Sequence, residues 1–367
     1  MLQHDSNEPK AGPRAHAGEL NSTIAGGNNL NRTRTKLQTA IFLTALMLLG
    51  IGSMPARGAT GGQVRRSAPP WLSLFGAAVK PDGSIYVVGS KALLLTSTDH
   101  GKTWIQQTLR ERPGSSLFQD RDLYSIRFSP DGNAAWIVGE EGTILYSNYG
   151  GKTWTKQQSG TTKNLFKVAV QDAQQAAAVG ADGTLLRTSD GGAHWQSAKS
   201  PKTITLFDVA FTDKNTIWAA GEFSTILTSK DSGQNWTIAT GGNTGDFTIG
   251  PFFTLTFSDP QHAVAAGLAG ELSLTDDGGK TWKPAKLPDQ VGTYVLAADP
   301  TSKKLWIGGT GGKMLVRNSD GQWQDAPRTT FHDLTDIAFV GNQGVAVGLN
   351  GTILLTKNAG EQWQVVQ

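Results

Sequence analysis

The sequence predicts an all-β protein, a seven-bladed β-propeller of four-stranded antiparallel blades that occupies residues 71–367. Three observations predict this fold: a glycine–tryptophan pair that recurs along the chain, a spacing between copies that equals one blade, and short strands separated by glycine-bearing turns. This region shows no sustained helical periodicity, which excludes a mixed α/β architecture.

The glycine–tryptophan pair marks seven copies of one repeat. In six copies the tryptophan follows the glycine by 15 residues, and in the sixth copy along the chain it follows one residue sooner. The pairs are Gly89/Trp104, Gly139/Trp154, Gly180/Trp195, Gly221/Trp236, Gly267/Trp282, Gly309/Trp323 and Gly348/Trp363. Successive tryptophans lie 50, 41, 41, 46, 41 and 40 residues apart, which is the length of a propeller blade.

The strands are clearest in the second copy. They read L-Y-S-I-R-F-S (123–129), A-A-W-I-V-G (134–139), T-I-L-Y-S-N (143–148) and K-T-W-T-K-Q (152–157). A lone blade would expose two faces and two edges, so closure into a ring is favoured. Mostly small residues recur at one inner-strand position, as expected where blades converge on an axis: Ala78, Arg127, Ala169, Ala210, Thr256, Ala297 and Ala338. The last repeat supplies its own outer strand up to Val366, so no strand from the N-terminus is needed to close the ring.

The turn before each tryptophan follows the pattern Ser/Thr-x-Asp-x-Gly-x-x-Trp, known as the Asp-box or BNR repeat. It is complete at 97–104, 188–195, 229–236 and 275–282, whereas Tyr149 or Asn358 replaces the aspartate in two copies and Asp320 stands in the shortened sixth copy. We expect the carboxylate to accept backbone N–H bonds, the glycine to supply a positive φ and the indole to be buried. One carboxylate per turn falls short of the six to eight oxygens that calcium needs, so a structural turn is predicted, with no metal and no cofactor. The structural residues are Asp99, Trp104, Trp154, Asp190, Trp195, Asp231, Trp236, Asp277, Trp282, Trp323 and Trp363.

These turns, together with the G-x-x-G-T-I-L-x-T-x-D-G-G-x-x-W style of the whole repeat, closely resemble the photosystem II assembly and stability factor family. The resemblance covers all of 71–367. It implies a seven-bladed propeller that is not an enzyme and that escorts newly made reaction-centre subunits in the thylakoid lumen. Relatives in non-photosynthetic bacteria imply a second setting, beside envelope transport or assembly proteins.

A sialidase-like or other BNR-repeat glycoside hydrolase is the alternative. Such a site needs convergent arginines, a tyrosine nucleophile with a glutamate partner and an acidic proton donor. Four of the five tyrosines, Tyr86, Tyr124, Tyr146 and Tyr294, lie within strand patterns that predict packing roles, and Tyr149 lies in a turn. Glu140, Glu141, Glu222 and Glu271 share one rim, where they are either a carboxylate pair or solvated turn residues; we favour the second. His100, His194, His262 and His332 fall in different blades, without metal-ligand spacing, so no catalytic residue is assigned.

The N-terminal region divides into three predicted segments. Residues 1–36 have the composition of a disordered tail, and 60–70 that of a linker rich in Gly and Pro. Between them, residues 37–59 follow the basic cluster Arg32–Lys36 and begin with an uncharged stretch from Leu37 to Ala56. This pattern indicates a cleaved signal peptide or an uncleaved membrane anchor; either would export the propeller to a periplasm or a thylakoid-lumen-like compartment.

Charge and loop length together suggest the kind of partner. Residues 60–367 hold 27 basic and 27 acidic side chains, so no cationic field favours nucleic acid. Insertions at 106–122 and 240–251 should emerge on one face, opposite the Asp-box turns. We therefore predict a monomer that binds a membrane protein complex or transporter subunit there, through residues that combine arginine with aromatic side chains: Arg110, Arg112, Phe118, Arg121 and Phe247.

Overall fold

The computed structural model describes residues 63–65, 71–109, 121–242, 249–288, 292–298, 304–318 and 320–366. Within these ranges the chain forms seven antiparallel sheets, each built from consecutive strands. The first strand of each four-stranded repeat packs against the first strands of both neighbouring blades, and the last blade meets the first. The predicted seven-bladed β-propeller is therefore confirmed.

Each blade runs from an inner strand at the axis to an outer strand at the rim. Blade 1 contains β1 (Gln63–Arg65), β2 (Leu74–Val79), β3 (Ile85–Gly89), β4 (Leu93–Ser97) and β5 (Trp104–Thr108). Blade 2 contains β6 (Leu123–Phe128), β7 (Ala135–Gly139), β8 (Ile144–Ser147) and β9 (Thr155–Gln157). Blade 3 contains β10 (Leu165–Val170), β11 (Ala176–Gly180), β12 (Leu185–Thr188) and β13 (Gln196–Ser197). Blade 4 contains β14 (Leu206–Phe211), β15 (Ile217–Gly221), β16 (Thr225–Ser229) and β17 (Thr237–Thr240).

The remaining blades repeat this plan. Blade 5 contains β18 (Phe252–Phe257), β19 (Ala263–Gly267), β20 (Glu271–Thr275) and β21 (Lys283–Lys286). Blade 6 contains β22 (Thr293–Ala298), β23 (Leu305–Gly309), β24 (Met314–Arg317) and β25 (Trp323–Asp325). Blade 7 contains β26 (Leu334–Val340), β27 (Gln343–Gly348), β28 (Ile353–Thr356) and β29 (Gln364–Val365). Short 3-10 turns follow the second strand in four blades, at Glu140–Gly142, Ala181–Gly183, Leu268–Gly270 and Thr310–Gly312. No helix in the described residues is long and apolar enough to cross a bilayer.

Strand β1 departs from the sequence prediction. It lies in the segment predicted as a linker, yet it pairs antiparallel with the outer edge of blade 1, with Gln63 opposite Gln106 and Arg65 opposite Trp104. The linker prediction is wrong for these three residues, because an open strand edge offers backbone partners whatever the side-chain pattern. The predicted tail and the predicted signal or anchor segment lie outside the described residues.

Apolar packing joins the first and last blades. Leu74 and Val79 of blade 1 lie in one buried cluster with Val345 and Val347 of blade 7, and Trp104 in the same cluster has no solvent exposure. Burying each such aliphatic side chain contributes about 1.5–3 kcal/mol. In the described chain these two blades exchange no strand, so side-chain packing contributes much of the stability of the contact that closes the ring.

A second set of contacts joins the blades beside the axis. Every inner strand begins with a β-bulge, and at four of the seven junctions the residue after the bulge accepts a backbone N–H bond from the next blade. The bonds run from Val168 to Ser125 Oγ (3.4 Å), from Leu255 to Asp208 Oδ2 (2.8 Å), from Leu296 to Thr254 Oγ1 (2.9 Å) and from Ala77 to Asp336 Oδ2 (3.0 Å). These side chains satisfy amides that the inner strands would otherwise bury without a partner.

Arg127 is the one large side chain at the inner-strand position where small residues were expected. Its guanidinium crosses to blade 7 and binds Asp336 through two bonds of 3.0 and 3.2 Å, and it also donates to the carbonyl of Ala77. Lys167 of blade 3 donates to the same carboxylate at 3.2 Å. Blade 1 lies between blades 2 and 7. At the positions equivalent to Asp336 and Arg127 it carries Gly76 and Ala78, whose small size leaves space for the Arg127 side chain.

The Asp336 carboxylate is therefore held as an anion in a buried position. Burial alone would raise its pKa, but the charges of Arg127 and Lys167 outweigh burial and lower the pKa to about 2. Asp336 is 1 % exposed, so water screens these interactions little. Burial likewise opposes the charge of Arg127, and the neighbouring carboxylate raises the pKa of that guanidinium.

Asp336→Asn is expected to lower the free energy of unfolding at pH 7 by about 3–5 kcal/mol, because it leaves two half-buried cations without the buried carboxylate that they share. The folded pKa lies below the unfolded value, so the contribution of Asp336 is present above pH ~4 and is lost as the pH falls towards ~2. Urea titrations of the parent protein and of Asp336→Asn should show that their free energies of unfolding converge as the pH falls through this range. Asp276→Asn, at an exposed turn, is the control and should cost about 0.5 kcal/mol or less. A difference that is independent of pH would contradict an ionised Asp336.

Candidate functional site

The two faces of the ring differ in their turns. In an antiparallel meander successive turns alternate between ends, so the Asp-box turns (97–104 and their equivalents) share one face with the turns after each inner strand. We call this the box face. The turns after each second strand share the opposite face with the links between blades, such as 158–164 and 326–333. We call this the link face, and it is the face on which a partner was predicted.

The four complete Asp-boxes have the same hydrogen bonds. In each turn a Ser or Thr hydroxyl donates to the aspartate at 2.8 Å and accepts the glycine N–H at 2.8–2.9 Å. The residue four positions after the aspartate closes the turn: Thr103, His194, Asn235 and Thr281 each donate a backbone N–H to the carboxylate at 2.9 Å. Bonds from these closing residues lower the pKa of Asp99, Asp190, Asp231 and Asp277 to about 2.

Two of the three incomplete boxes use an amide instead of a carboxylate. In blade 7 the side-chain oxygen of Asn358 accepts from Thr356 Oγ1 at 2.9 Å and from Gln362 N at 3.0 Å. In blade 6 Asn318 accepts from Gln322 N at 2.9 Å, so Asn318 rather than Asp320 takes the position of the aspartate. In these two turns the box works without a carboxylate, which fits a structural role.

The tryptophans are buried to different degrees. Trp104, Trp236 and Trp363 are buried, whereas Trp154, Trp195, Trp282 and Trp323 are half-buried. The expectation of a fully buried indole is therefore wrong for four copies. In the described residues no group of three or more His, Asp or Glu side chains is arranged to hold a metal ion.

A belt of aromatic rings surrounds the axis near the link face. At the bulge of the inner strand, six blades carry Phe75, Tyr124, Phe166, Phe207, Phe253 and Tyr294, and blade 7 carries Thr335. Successive ring centroids lie 5.6, 5.5, 5.9, 5.0 and 5.7 Å apart. The belt packs against the link-face turn residues Ala181 and Leu268. The four central rings are buried, so the belt is part of the core rather than a groove for a ligand.

The cluster closest to a glycosidase site lies between blades 1 and 2. Glu140 accepts the Tyr124 hydroxyl at 3.2 Å and the Asp122 N–H at 2.9 Å, and Glu141 pairs with Arg121 at 2.5 Å. Burial and then the Glu140 charge raise the pKa of Tyr124, which is the opposite of what a phenolate nucleophile needs. Burial also raises the pKa of Asp122 to about 6, although its carboxylate accepts the Lys91 N–H. The arrangement resembles a cap on the turn more than a reacting centre.

The other residues weighed for catalysis are dispersed. Glu222 is 7 % exposed and accepts the Thr205 N–H at 2.9 Å, so the expectation of a solvated turn residue is wrong there. Glu271 lies 3.8 Å from Lys286 on the neighbouring strand. Tyr86 is buried in an inter-blade cluster, and its hydroxyl donates to Gly150 O at 2.8 Å. The histidines contact different partners in four blades: Gln343 for His100, Asp190 for His194, Asp259 for His262 and Thr352 for His332.

The structure describes one of the five predicted partner residues. Arg121 stands at the base of the first insertion, half-buried, where it pairs with Glu141 and donates to Thr143 Oγ1 at 3.3 Å. Arg110, Arg112, Phe118 and Phe247 lie outside the described residues, so their prediction stays untested.

Two exposed aromatics on the link face were missed by sequence reasoning. Trp71 is 74 % exposed and Phe331 is 79 % exposed, the largest values among the large hydrophobic side chains described. Both stand three residues before an inner strand, in the adjacent blades 1 and 7. The Arg328 guanidinium lies 5.4 Å from the Phe331 ring centroid. Their shared position three residues before an inner strand is visible in the sequence, but their exposure is not.

Comparison with known proteins identifies the family. The sequence matches the profile of the photosynthesis system II assembly factor YCF48 over residues 71–148, 118–189 and 188–272. These segments cover more than half of the chain. The protein belongs to the YCF48 family. No curated protein matches the sequence significantly.

Solved structures agree with the fold. A structure described as YCF48 bound to D1 peptide is 21% identical, with a TM-score of 0.64, over 83% of this chain and 99% of that one. YCF48 from Cyanidioschyzon merolae is 19% identical, with a TM-score of 0.63, over 81% and 98%. The WD40 repeats of RRP9 are 13% identical, with a TM-score of 0.64, over 83% and 99%. At these identities the structural likeness shows the propeller fold alone.

Trp104→Ala is expected to cost about 3–5 kcal/mol in the free energy of unfolding, because it empties a fully buried site between blades 1 and 7. The same change at half-buried Trp323 should cost less. Chemical denaturation of the two variants measures both, and equal costs would contradict the difference in burial.

Asp190→Ala is expected to lower the melting temperature, whereas Asp190→Asn should retain most of it, since Asn358 supports the equivalent turn in blade 7. Thermal unfolding followed by circular dichroism provides the measurement. Equal losses for Ala and Asn would indicate that the negative charge, rather than the hydrogen bonds, stabilises the turn.

Proposed function

We propose that this YCF48-family protein is a non-catalytic assembly or docking factor that binds a segment of a membrane protein subunit on its link face. The observation that carries the proposal is the family match, which spans residues 71–272. The solved relative bound to a D1 peptide supports a peptide segment of a membrane subunit as the ligand class. The partner is a photosystem II subunit or, in a non-photosynthetic setting, a subunit of an envelope transporter.

The link face offers suitable side chains for such a partner. Trp71 and Phe331 present two aromatic rings to solvent, and Arg328 adds a cation beside one of them. Tryptophan and arginine are enriched among the residues that dominate binding energy at protein interfaces. The predicted residues Arg110, Arg112, Phe118 and Phe247 belong to insertions that we expect on the same face from their place in the repeat.

A non-catalytic role is supported by the state of the best candidate nucleophile. Tyr124 is 7 % exposed, and burial raises the pKa of its hydroxyl, so it is neither accessible to a sugar ring nor activated. Arg121, which stands beside the same turn, is paired with Glu141. Hydrolysis of a sialoside or another glycoside by the purified protein would contradict this part of the proposal.

The aromatic pair can be tested against a matched aromatic on the opposite face. Trp71→Ala combined with Phe331→Ala should weaken capture of the membrane partner at least about tenfold, as expected for central interface aromatics. Tyr149→Ala removes a ring that is 62 % exposed on the box face and should leave capture unchanged. Quantitative recovery from solubilised membranes, with the full chain as bait, provides the measurement. Equal recovery by all three proteins would exclude the link-face aromatics from binding.

Two insertion arginines provide an independent test. Arg110→Glu with Arg112→Glu should reduce partner recovery, whereas Lys152→Glu with Lys280→Glu should not. Both variants change the net charge equally, and the lysines lie exposed on box-face turns, so non-specific attraction predicts equal losses. Arg121 is left intact because it pairs with Glu141. Melting temperatures should stay near the parent value.

We also propose that the propeller works outside the cytoplasm, on the strength of the basic cluster Arg32–Lys36 and the uncharged stretch that follows it. Residues 1–70 fused to an alkaline phosphatase reporter should give periplasmic activity. The same fusion with Leu46→Arg and Leu48→Arg should lose that activity, because two charges interrupt the apolar stretch. Activity from a cytoplasmic reporter only would overturn export.

A further inference from the structure

The rim of the propeller shows one strand edge that is occupied and a neighbouring edge that is open. Strand β1 pairs with the outer strand of blade 1, whereas blade 7 ends at its outer strand β29 in the described residues. The Val366 N–H donates inward to Ile353 O, so strand alternation directs the amide and carbonyl of Val365 outward. Val365 is 46 % exposed. This edge therefore presents backbone groups of the kind that β1 covers on blade 1.

A groove runs along this open edge, at the seam between blades 7 and 1 on the box face. It has a volume of about 380 Å³, within the range of ligand-binding clefts. Leu355 and Val366 supply apolar surface, and Gln364 and Val365 contribute the strand edge. Two lysines border it, Lys102 from the Asp-box turn of blade 1 and Lys357 from that of blade 7.

The two charged side chains that line the groove are both lysines. Lys102 and Lys357 are exposed, and neither forms an ion pair with a described residue. The acidic residues of the same two turns, Asp99 and Glu361, do not line the groove. The Asp99 carboxylate is turned into its own box, where it binds Thr103. An acidic ligand would therefore meet two cations without an opposing carboxylate from either turn.

We propose that this groove binds an acidic, extended peptide segment of a partner protein, which adds to β29 as a fifth strand of blade 7. Main-chain bonds to the outward amide and carbonyl of Val365 give affinity, as in other cases of strand addition. Alternate side chains of the peptide face the groove, where Leu355 and the two lysines lie, or the opposite side of the sheet, where the Val365 side chain lies. The site lies on the box face and is distinct from the proposed link-face site.

The repeat supplies a matched control for the lysines. Lys102, Lys152 and Lys280 occupy the same position in the Gly-Lys-Thr-Trp sequence of blades 1, 2 and 5, but of the three only Lys102 lines the groove. The probe is a fluorescein-labelled peptide of alternating valine and glutamate, measured by fluorescence anisotropy with the full chain. Lys102→Glu with Lys357→Glu should weaken binding at least tenfold, and Lys152→Glu with Lys280→Glu should leave it unchanged.

Two further peptides test the mode of binding without altering the protein. A peptide in which lysine replaces glutamate should not bind. The valine–glutamate peptide can also be N-methylated at its odd-numbered or at its even-numbered residues. Only one of these two methylated peptides should lose binding, because an added strand bonds the edge through every second amide. Failure of the valine–glutamate peptide to bind, equal losses for both lysine pairs, or no effect of either methylation would each overturn the proposal. Association of the chain with itself, if abolished by the same groove lysines, would overturn it in favour of a second copy. The Trp71/Phe331 variant should bind the peptide normally, which separates this site from the proposed function.

Discussion

The carboxylate of Asp336 is the acceptor around which the ring closes. It binds the Ala77 amide of blade 1, the Arg127 guanidinium of blade 2 and the Lys167 ammonium of blade 3, and it does so from blade 7. One side chain thus connects four of the seven blades across the axis. Many closed rings lock their ends by sharing a strand, but here both terminal blades are complete without one in the described chain, so these bonds and the seam packing hold the ends together.

Sevenfold repetition makes the exceptions informative. Positions that build the blades keep the same hydrogen-bonding role even where the residue changes. Asn358 replaces aspartate and still accepts the same turn bonds. Positions that break the repeat have individual partners: Arg127 replaces a small residue and reaches Asp336, and Thr335 interrupts the aromatic belt and donates to Leu74 O at 2.7 Å. These two exceptions, Arg127 and Thr335, lie with Asp336 at the junction of blades 7, 1 and 2. The seam is therefore the least symmetric part of the ring.

Local periodicity in the sequence predicts blades well, and contacts between distant residues poorly. The tryptophan spacing and the Asp-box indicated seven blades, because each copy encodes its own strands and turn. Asp336 and Arg127 are 209 positions apart, and no local pattern relates them. The residues of β1 carry no strand pattern and pair because blade 1 offers an edge. Trp71 and Phe331 were missed because exposure depends on the surroundings of a side chain rather than on its type.

The position of β1 also determines which surfaces of the propeller this strand covers. Gln63 pairs with Gln106 at the outer edge of blade 1, so β1 occupies the rim and leaves both faces of the ring free of this strand. One protein on the link face and another on the box face could therefore be bound at the same time without displacing β1 from the rim.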